Sequence, residues 1–320
     1  MTYLIYGGFV LIVLMLLALD LGVFNRKVHV IEIREALGWS AFWIFLGISF
    51  SLVVYFIYEH HWLDVATSYA ADEAAGKKAL VEYITGYVIE KSLSLDNIFV
   101  IALIFEYFKI PLLYQHRVLF WGIIGALILR GMMISAGAVM ITNFEWTVYV
   151  FGAFLIFTAI KMLVSDDEKI EPEKNPVYKI VRKIYALSDK VEGMHFFTSL
   201  NGRKAVTPLF IALIIVESSD VLFAVDSIPA IFAVTKEPFI VFTSNIFAIL
   251  GLRSLYFALA AMIRKFKFLK FSLVFILAYV GVKMLLSHIY PIPSWVSLIF
   301  IAATLLIGIA ASVVSGKNKN

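Results

Sequence analysis

The chain is 320 residues long, 62% hydrophobic and only 16% charged, with a net charge of +4 and a pI near 9.0. Soluble domains run at about 45–50% apolar and about 25% charged, so a soluble globular enzyme is excluded. The apolar runs are continuous and far longer than the roughly ten alternating positions of an outer-membrane strand, which excludes a barrel of that kind. There is no cysteine, hence no disulfide and no thiolate metal ligand. In so apolar a chain the basic balance points to basic cytoplasmic loops rather than to nucleic acid.

A membrane-crossing helix takes about 20 mostly apolar residues. Nine stretches qualify in chain order: 2–24, 38–58, 80–107, 117–141, 145–165, 206–234, 239–263, 268–289 and 294–314. The first has neither the basic start nor the cleavage site of a signal peptide and reads as a span, and no Arg/Ser-rich transit peptide precedes it, an expectation that favours the plasma (inner) membrane of a bacterium. With the N-terminus outside, nineteen of the 27 Lys and Arg fall in cytoplasmic connections, three (Lys77, Lys78, Lys236) fall outside and five lie within spans. The expected topology is therefore N-out and C-in. Asp20 reads as a boundary residue, and the outer group Glu59, His60, His61 and Asp64 as a weak metal site at best. The polar stretch 166–205 is expected to be a cytoplasmic connector. It opens irregularly around Asp166-Asp167-Glu168, Pro172 and Pro176. Val177, Ile180, Val181, Ile184 and Leu187 recur at helical spacing, compatible with an amphipathic helix on the inner leaflet.

Two stretches resemble each other. Gly125 to Arg130 parallels Ala248 to Arg253, and Lys161-Met162-Leu163 parallels Lys283-Met284-Leu285. Asp96 precedes Arg130 by 34 residues and Asp220 precedes Arg253 by 33. The expected fold is thus an all-α polytopic membrane protein with about nine transmembrane helices, containing inverted three-helix repeats. Its parts are an N-terminal two-helix segment (1–58), a first repeat (80–165), the cytoplasmic loop (166–205), a second repeat (206–289) and a C-terminal helix with its tail (290–320). An odd number of helices per repeat threads the copies oppositely, as in transporters whose substrate sits where the repeats meet.

The first helix of each repeat carries acids deep in the membrane: Glu90 and Asp96 in one, with the amide of Asn97 beside them, and Glu217, Asp220 and Asp226 in the other. Each ionised acid at a helix centre costs about 2.5–3.5 kcal/mol, so something must compensate. One reading is an oxygen-only ion cage, completed by serines such as Ser219 and by the Val225 carbonyl that Pro229 frees through a kink. The other is a structural lattice in which Lys91, Arg130 and Arg253 pair with the acids, Lys161 and Lys283 lying near span ends and reaching water. Oxygen ligands suit Mg²⁺, Ca²⁺ or Mn²⁺ rather than copper or zinc. No phosphate-cradling glycine loop, no Gly-x-Gly-Asp and no His-Glu-x-x-His is present, so no catalytic residues and no enzyme are expected.

The run Glu90-Lys91-Ser92-Leu93-Ser94-Leu95-Asp96-Asn97-Ile98-Phe99-Val100 resembles the first signature of the TerC family of membrane proteins. The run from Glu217-Ser218-Ser219-Asp220 through Asp226-Ser227-Ile228-Pro229-Ala230 resembles its second. Thr243 to Ala248 and Leu250 to Arg253 also fit, and the chain looks closest to the Alx-type branch. That resemblance implies manganese export, with Glu90, Asp96, Glu217, Asp220 and Asp226 as the ion-site acids. The resulting expectation is a divalent metal exporter carrying Mn²⁺ as substrate, with no prosthetic group and with protons as a natural counter-ion. The alternative is a membrane scaffold that hands metal to exported proteins or organises a tellurium or stress-resistance complex. Oxyanion extrusion ranks last, because a site with more acids than firmly paired bases repels anions.

Overall fold

The computed structural model describes residues 2–22, 32–62, 74–144, 146–164, 175–188, 193–200, 202–260, 268–287, 289–290 and 292–317. The side chains of Asp20 and Asp96, together with Asp64 and the stretch 165–174 that opens the polar loop, lie outside the described part. In chain order the elements are α1 (Thr2–Gly22), α2 (Ile33–Glu59), α3 (Ala75–Tyr107), α4 (Leu112–Asn143), α5 (Thr147–Val164), α6 (Pro176–Ile184), β1 (Ala186–Leu187), β2 (Phe197–Leu200), β3 (Arg203–Val206), α7 (Pro208–Phe232), α8 (Pro238–Leu250), α9 (Leu252–Ala260), α10 (Leu269–Leu286) and α11 (Ser294–Lys317). The protein is a predominantly helical, polytopic bundle.

Among the described residues, α2, α4, α5, α7 and α11 are long and apolar enough to cross a membrane, and α8 with α9 makes a sixth if the bent pair counts as one span. The expected spans 80–107 and 268–289 fall on α3 and α10, and the first falls on α1, a helix of 21 residues. α3 is diluted by Glu82, Glu90, Lys91 and Asp96 along its 33 residues.

Three helices begin on a proline at their first position, Pro176 in α6, Pro208 in α7 and Pro238 in α8. Proline's missing N–H and fixed φ suit that place. The expected seventh span, 239–263, is not one rod. It bends by 42° at Gly251 between α8 and α9. A Cβ at Gly251 would stand 2.8 Å from Trp43 Cβ on α2 and 3.0 Å from Lys91 Nζ, so only glycine lets α2 and α3 approach the break. The break leaves the last carbonyls of α8 without intrahelical donors. Lys91 Nζ donates to one of them, Ala248 O, at 2.9 Å. A lysine deep in the membrane is thereby explained as the cap of a helix C-terminus.

The packing of the two candidate repeats is reciprocal: α3 lies on α8 as α4 lies on α7, α3 meets α7, and α5 meets α10. Exchanging α3 with α7, α4 with α8 and α5 with α10 reproduces each of these contacts. Three apolar clusters surround the α3–α7 crossing. One joins α1, α2, α3 and α8, one joins α5, α7 and α10, and one joins the second half of α3 to the starts of α4 and α7.

The described part of the polar stretch, 175–188, 193–200 and 202–205, carries a helix and a three-stranded sheet. Asn175 caps α6 by accepting from the Val177 N–H at 2.8 Å, and Pro176 opens the helix instead of disrupting it. Leu187, expected on the helix, sits in β1, which runs parallel to β3, while β2 pairs antiparallel to β3. Gly202, with φ +76°, precedes β3 in the β2–β3 hairpin, and the Asn-Gly word at 201–202 is a turn signal legible in the sequence. Tyr178, Val181 and Tyr185 pack against the cluster at the end of α3, while Ile180 and Ile184 remain exposed.

Candidate functional site

Arg130 of α4 lies fully buried where α3, α7 and α8 meet. Its Nε donates to Asp220 Oδ2 at 3.0 Å and its Nη2 to Asp220 Oδ1 at 2.7 Å, a two-pronged fork onto α7. Nη1 makes an ion pair with Glu90 of α3. The same nitrogen lies 3.4 Å from Ser227 Oγ and 3.5 Å from Asn245 Oδ1. Asn245 Nδ2 in turn donates to Glu90 Oε2 at 2.9 Å, and Asn97 Nδ2 donates to Asp220 Oδ1 at 2.9 Å. One guanidinium thus bridges acids from the first helix of each candidate repeat, in a dry interior where a lone charge would be far costlier.

Beside this network is a small cavity of about 20 Å³, lined by Asn97, Glu217 and Asp220 and walled by Ile101, Leu119 and Leu252. That volume holds one water-sized particle. Among the described residues, Glu217 Oε2 and Asn97 Oδ1 are both buried without a hydrogen-bond partner. The Glu217 carboxylate occupies the space that a side chain at Gly125 would fill, and Gly122 leaves it further room. Helix α4 therefore presents a glycine-bared face to this acid. Among the described residues, no three His, Asp or Glu side chains gather at metal-ligating distances. The guanidinium stands between Glu90 and Asp220 in this conformation.

The remaining expected site residues sit elsewhere. Asp226 turns away from Arg130 and accepts from Thr158 Oγ1 of α5 at 3.0 Å. Ser219 Oγ donates to the Ile215 carbonyl one turn back at 2.8 Å. Arg253 is buried. Helix α7 continues through Pro229 to Phe232. Lys283, expected to reach water, is instead buried and donates to Ser297 Oγ of α11 at 2.9 Å, whereas Lys161 is exposed. Asn245, Ser227 and Thr158 belong to the polar network but were not singled out from the sequence. Their signal was a polar side chain at mid-helix depth, weaker than that of a charge.

The profile described as "Integral membrane protein TerC family" matches residues 75–320. A Myxococcus xanthus protein named "Uncharacterized membrane protein STKORF319" is 48% identical over 314 residues, covering 98% of this chain and 93% of the relative. The Escherichia coli (strain K12) protein named "Putative membrane-bound redox modulator Alx" is 44% identical over 298 residues, 93% of this chain and 90% of the relative. Its Salmonella typhi counterpart of the same name is 45% identical over the same length. No solved structure matches the chain. A profile match across most of the length, carried by relatives that span nearly the whole chain, makes this protein a member of the TerC family of integral membrane proteins.

Proposed function

We propose that the chain exports a divalent metal cation, Mn²⁺ foremost, using the carboxylates between α3 and α7. The observation that carries this reading is the pair of buried, unpartnered oxygens, Glu217 Oε2 and Asn97 Oδ1, on residues that line a cavity together with Asp220. An unsatisfied buried carboxylate oxygen costs free energy that a bound cation recovers. The donors are all oxygen, the set that hard divalent ions select. Reciprocal packing of the two three-helix units is the arrangement that alternating access exploits, one unit rocking against the other around a fixed site. Asp96 and Asp226 complete the set of acids on this reading, and protons are the natural counter-ion, since an emptied carboxylate in a dry site favours its protonated form.

The test is flux into proteoliposomes holding the purified full chain, scanned with Mn²⁺, Mg²⁺, Ca²⁺ and tellurite. Saturable Mn²⁺ uptake, lost in Asp226→Asn and Asp96→Asn at equal insertion, is the expected result. An inert wild-type protein would defeat the proposal.

A scaffold that passes metal to exported proteins, or that organises a stress complex, is the second reading. It is favoured by Ile180 and Ile184, 56% and 66% exposed on α6. A scaffold moves no ion alone, so the same flux assay separates the two. Redox modulation, the role in the name of the Alx relatives, cannot run through thiols here, because the chain has none.

A further inference from the structure

We infer that Arg130 is a tethered cation that competes with the transported metal for Asp220 and refills the site when the metal leaves. The inference rests on the metal-export reading and concerns how that site is kept occupied. Asp220 serves two environments at once: its oxygens hold the Arg130 fork at 2.7 and 3.0 Å, and its residue lines the cavity that Glu217 and Asn97 share. Oδ1 already accepts from both Arg130 and Asn97, which uses its lone pairs. A divalent ion in the cavity needs oxygens at about 2.0–2.6 Å, so it takes Asp220 only if the guanidinium lets go. Two cations on one carboxylate in a low-dielectric interior repel strongly.

The structure supplies a second seat for the displaced group. Nη1 is already paired with Glu90, and Ser227 Oγ and Asn245 Oδ1 lie just past ordinary hydrogen-bond length, at 3.4 and 3.5 Å. Nη1 has two N–H groups, one of them already on Glu90, so a movement of roughly half an ångström makes one of these two bonds normal. Arg130 therefore leaves Asp220 as the metal arrives, keeping Glu90 and gaining one of these two acceptors through Nη1. It returns when the metal departs, so the emptied carrier never holds Asp220 uncompensated. Lys91 cannot substitute, being bound to the α8 terminus.

Mn²⁺ binding by calorimetry and Mn²⁺ flux in proteoliposomes are measured on the full chain for wild type, R130Q and R130K. Losing a charge-assisted competitor should tighten apparent Mn²⁺ affinity about tenfold or more in R130Q. Turnover should fall by at least a similar factor, because the empty form is left with unpaired acid. R130K, which keeps the charge but lacks the fork, should lie between. A merely structural arginine would weaken both quantities together. Folded R130Q with unchanged or weaker affinity overturns the inference. If R130Q does not fold, R130K decides by the same criterion. Wild type that neither binds nor moves Mn²⁺ sinks the export reading instead, an outcome distinct from normal wild-type flux with an indifferent R130Q.

Discussion

Asp220 and Glu217 are three residues apart on one helix yet occupy opposite electrostatic situations. Asp220 is held by a guanidinium fork and by Asn97, while Glu217 Oε2 is buried with no partner. Asp220→Asn therefore strands Arg130 beside a single carboxylate. Breaking a buried pair in this way costs about 3–5 kcal/mol, to be read as a lower thermal unfolding temperature in detergent. Glu217→Gln removes an unpaired acid, so stability should stay level or rise while Mn²⁺ binding is lost. Equal destabilisation by the two substitutions would contradict the asymmetry. The deep acids were legible as residues because a charge at membrane depth stands out in an apolar run. Their partners were not, since a sequence does not say which side chain on another helix faces them. Asp226 illustrates this: its depth marks it, but only packing turns it to Thr158 rather than to Arg130.

Between elements, close approach is set by small residues. Gly152 of α5 and Gly281 of α10 face each other so tightly that a Cβ on either would stand 3.0 or 2.8 Å from the other's carbonyl oxygen. Without a hydrophobic drive between helices in lipid, such backbone contact is what holds a pair together. Gly281→Leu should force α5 and α10 apart and destabilise the protein by about 1–3 kcal/mol, measured by thermal unfolding. At this scale the apolar runs foretold the helices, whereas the break at Gly251 was hidden. A glycine in an apolar run is compatible with a straight helix, and what bends it is the arrival of Trp43 and Lys91 from two other helices. The fold of the segment 175–206 was partly readable: Asn175-Pro176 and Asn201-Gly202 are start and turn signals. The pairing of β1 with β3 across the intervening stretch is not local, and so escaped notice.

For the whole molecule, the skew of basic residues makes a prediction about orientation that the native lack of cysteine renders simple to check. Lys204→Cys should resist a membrane-impermeant maleimide in intact cells and Trp62→Cys should react with it; the reverse pattern would invert the topology. Family membership, the helical class and the depth of the acids follow from the sequence alone, because hydrophobic length and the charge signatures are properties of consecutive residues. Which acid is neutralised by the protein's own arginine, which is left open to a cavity, and which lysine caps a broken helix were settled only by tertiary structure. Those outcomes depend on side chains from α3, α4, α7 and α8 meeting at one point, and the free energy of a buried charge is determined by its neighbours in space, not along the chain.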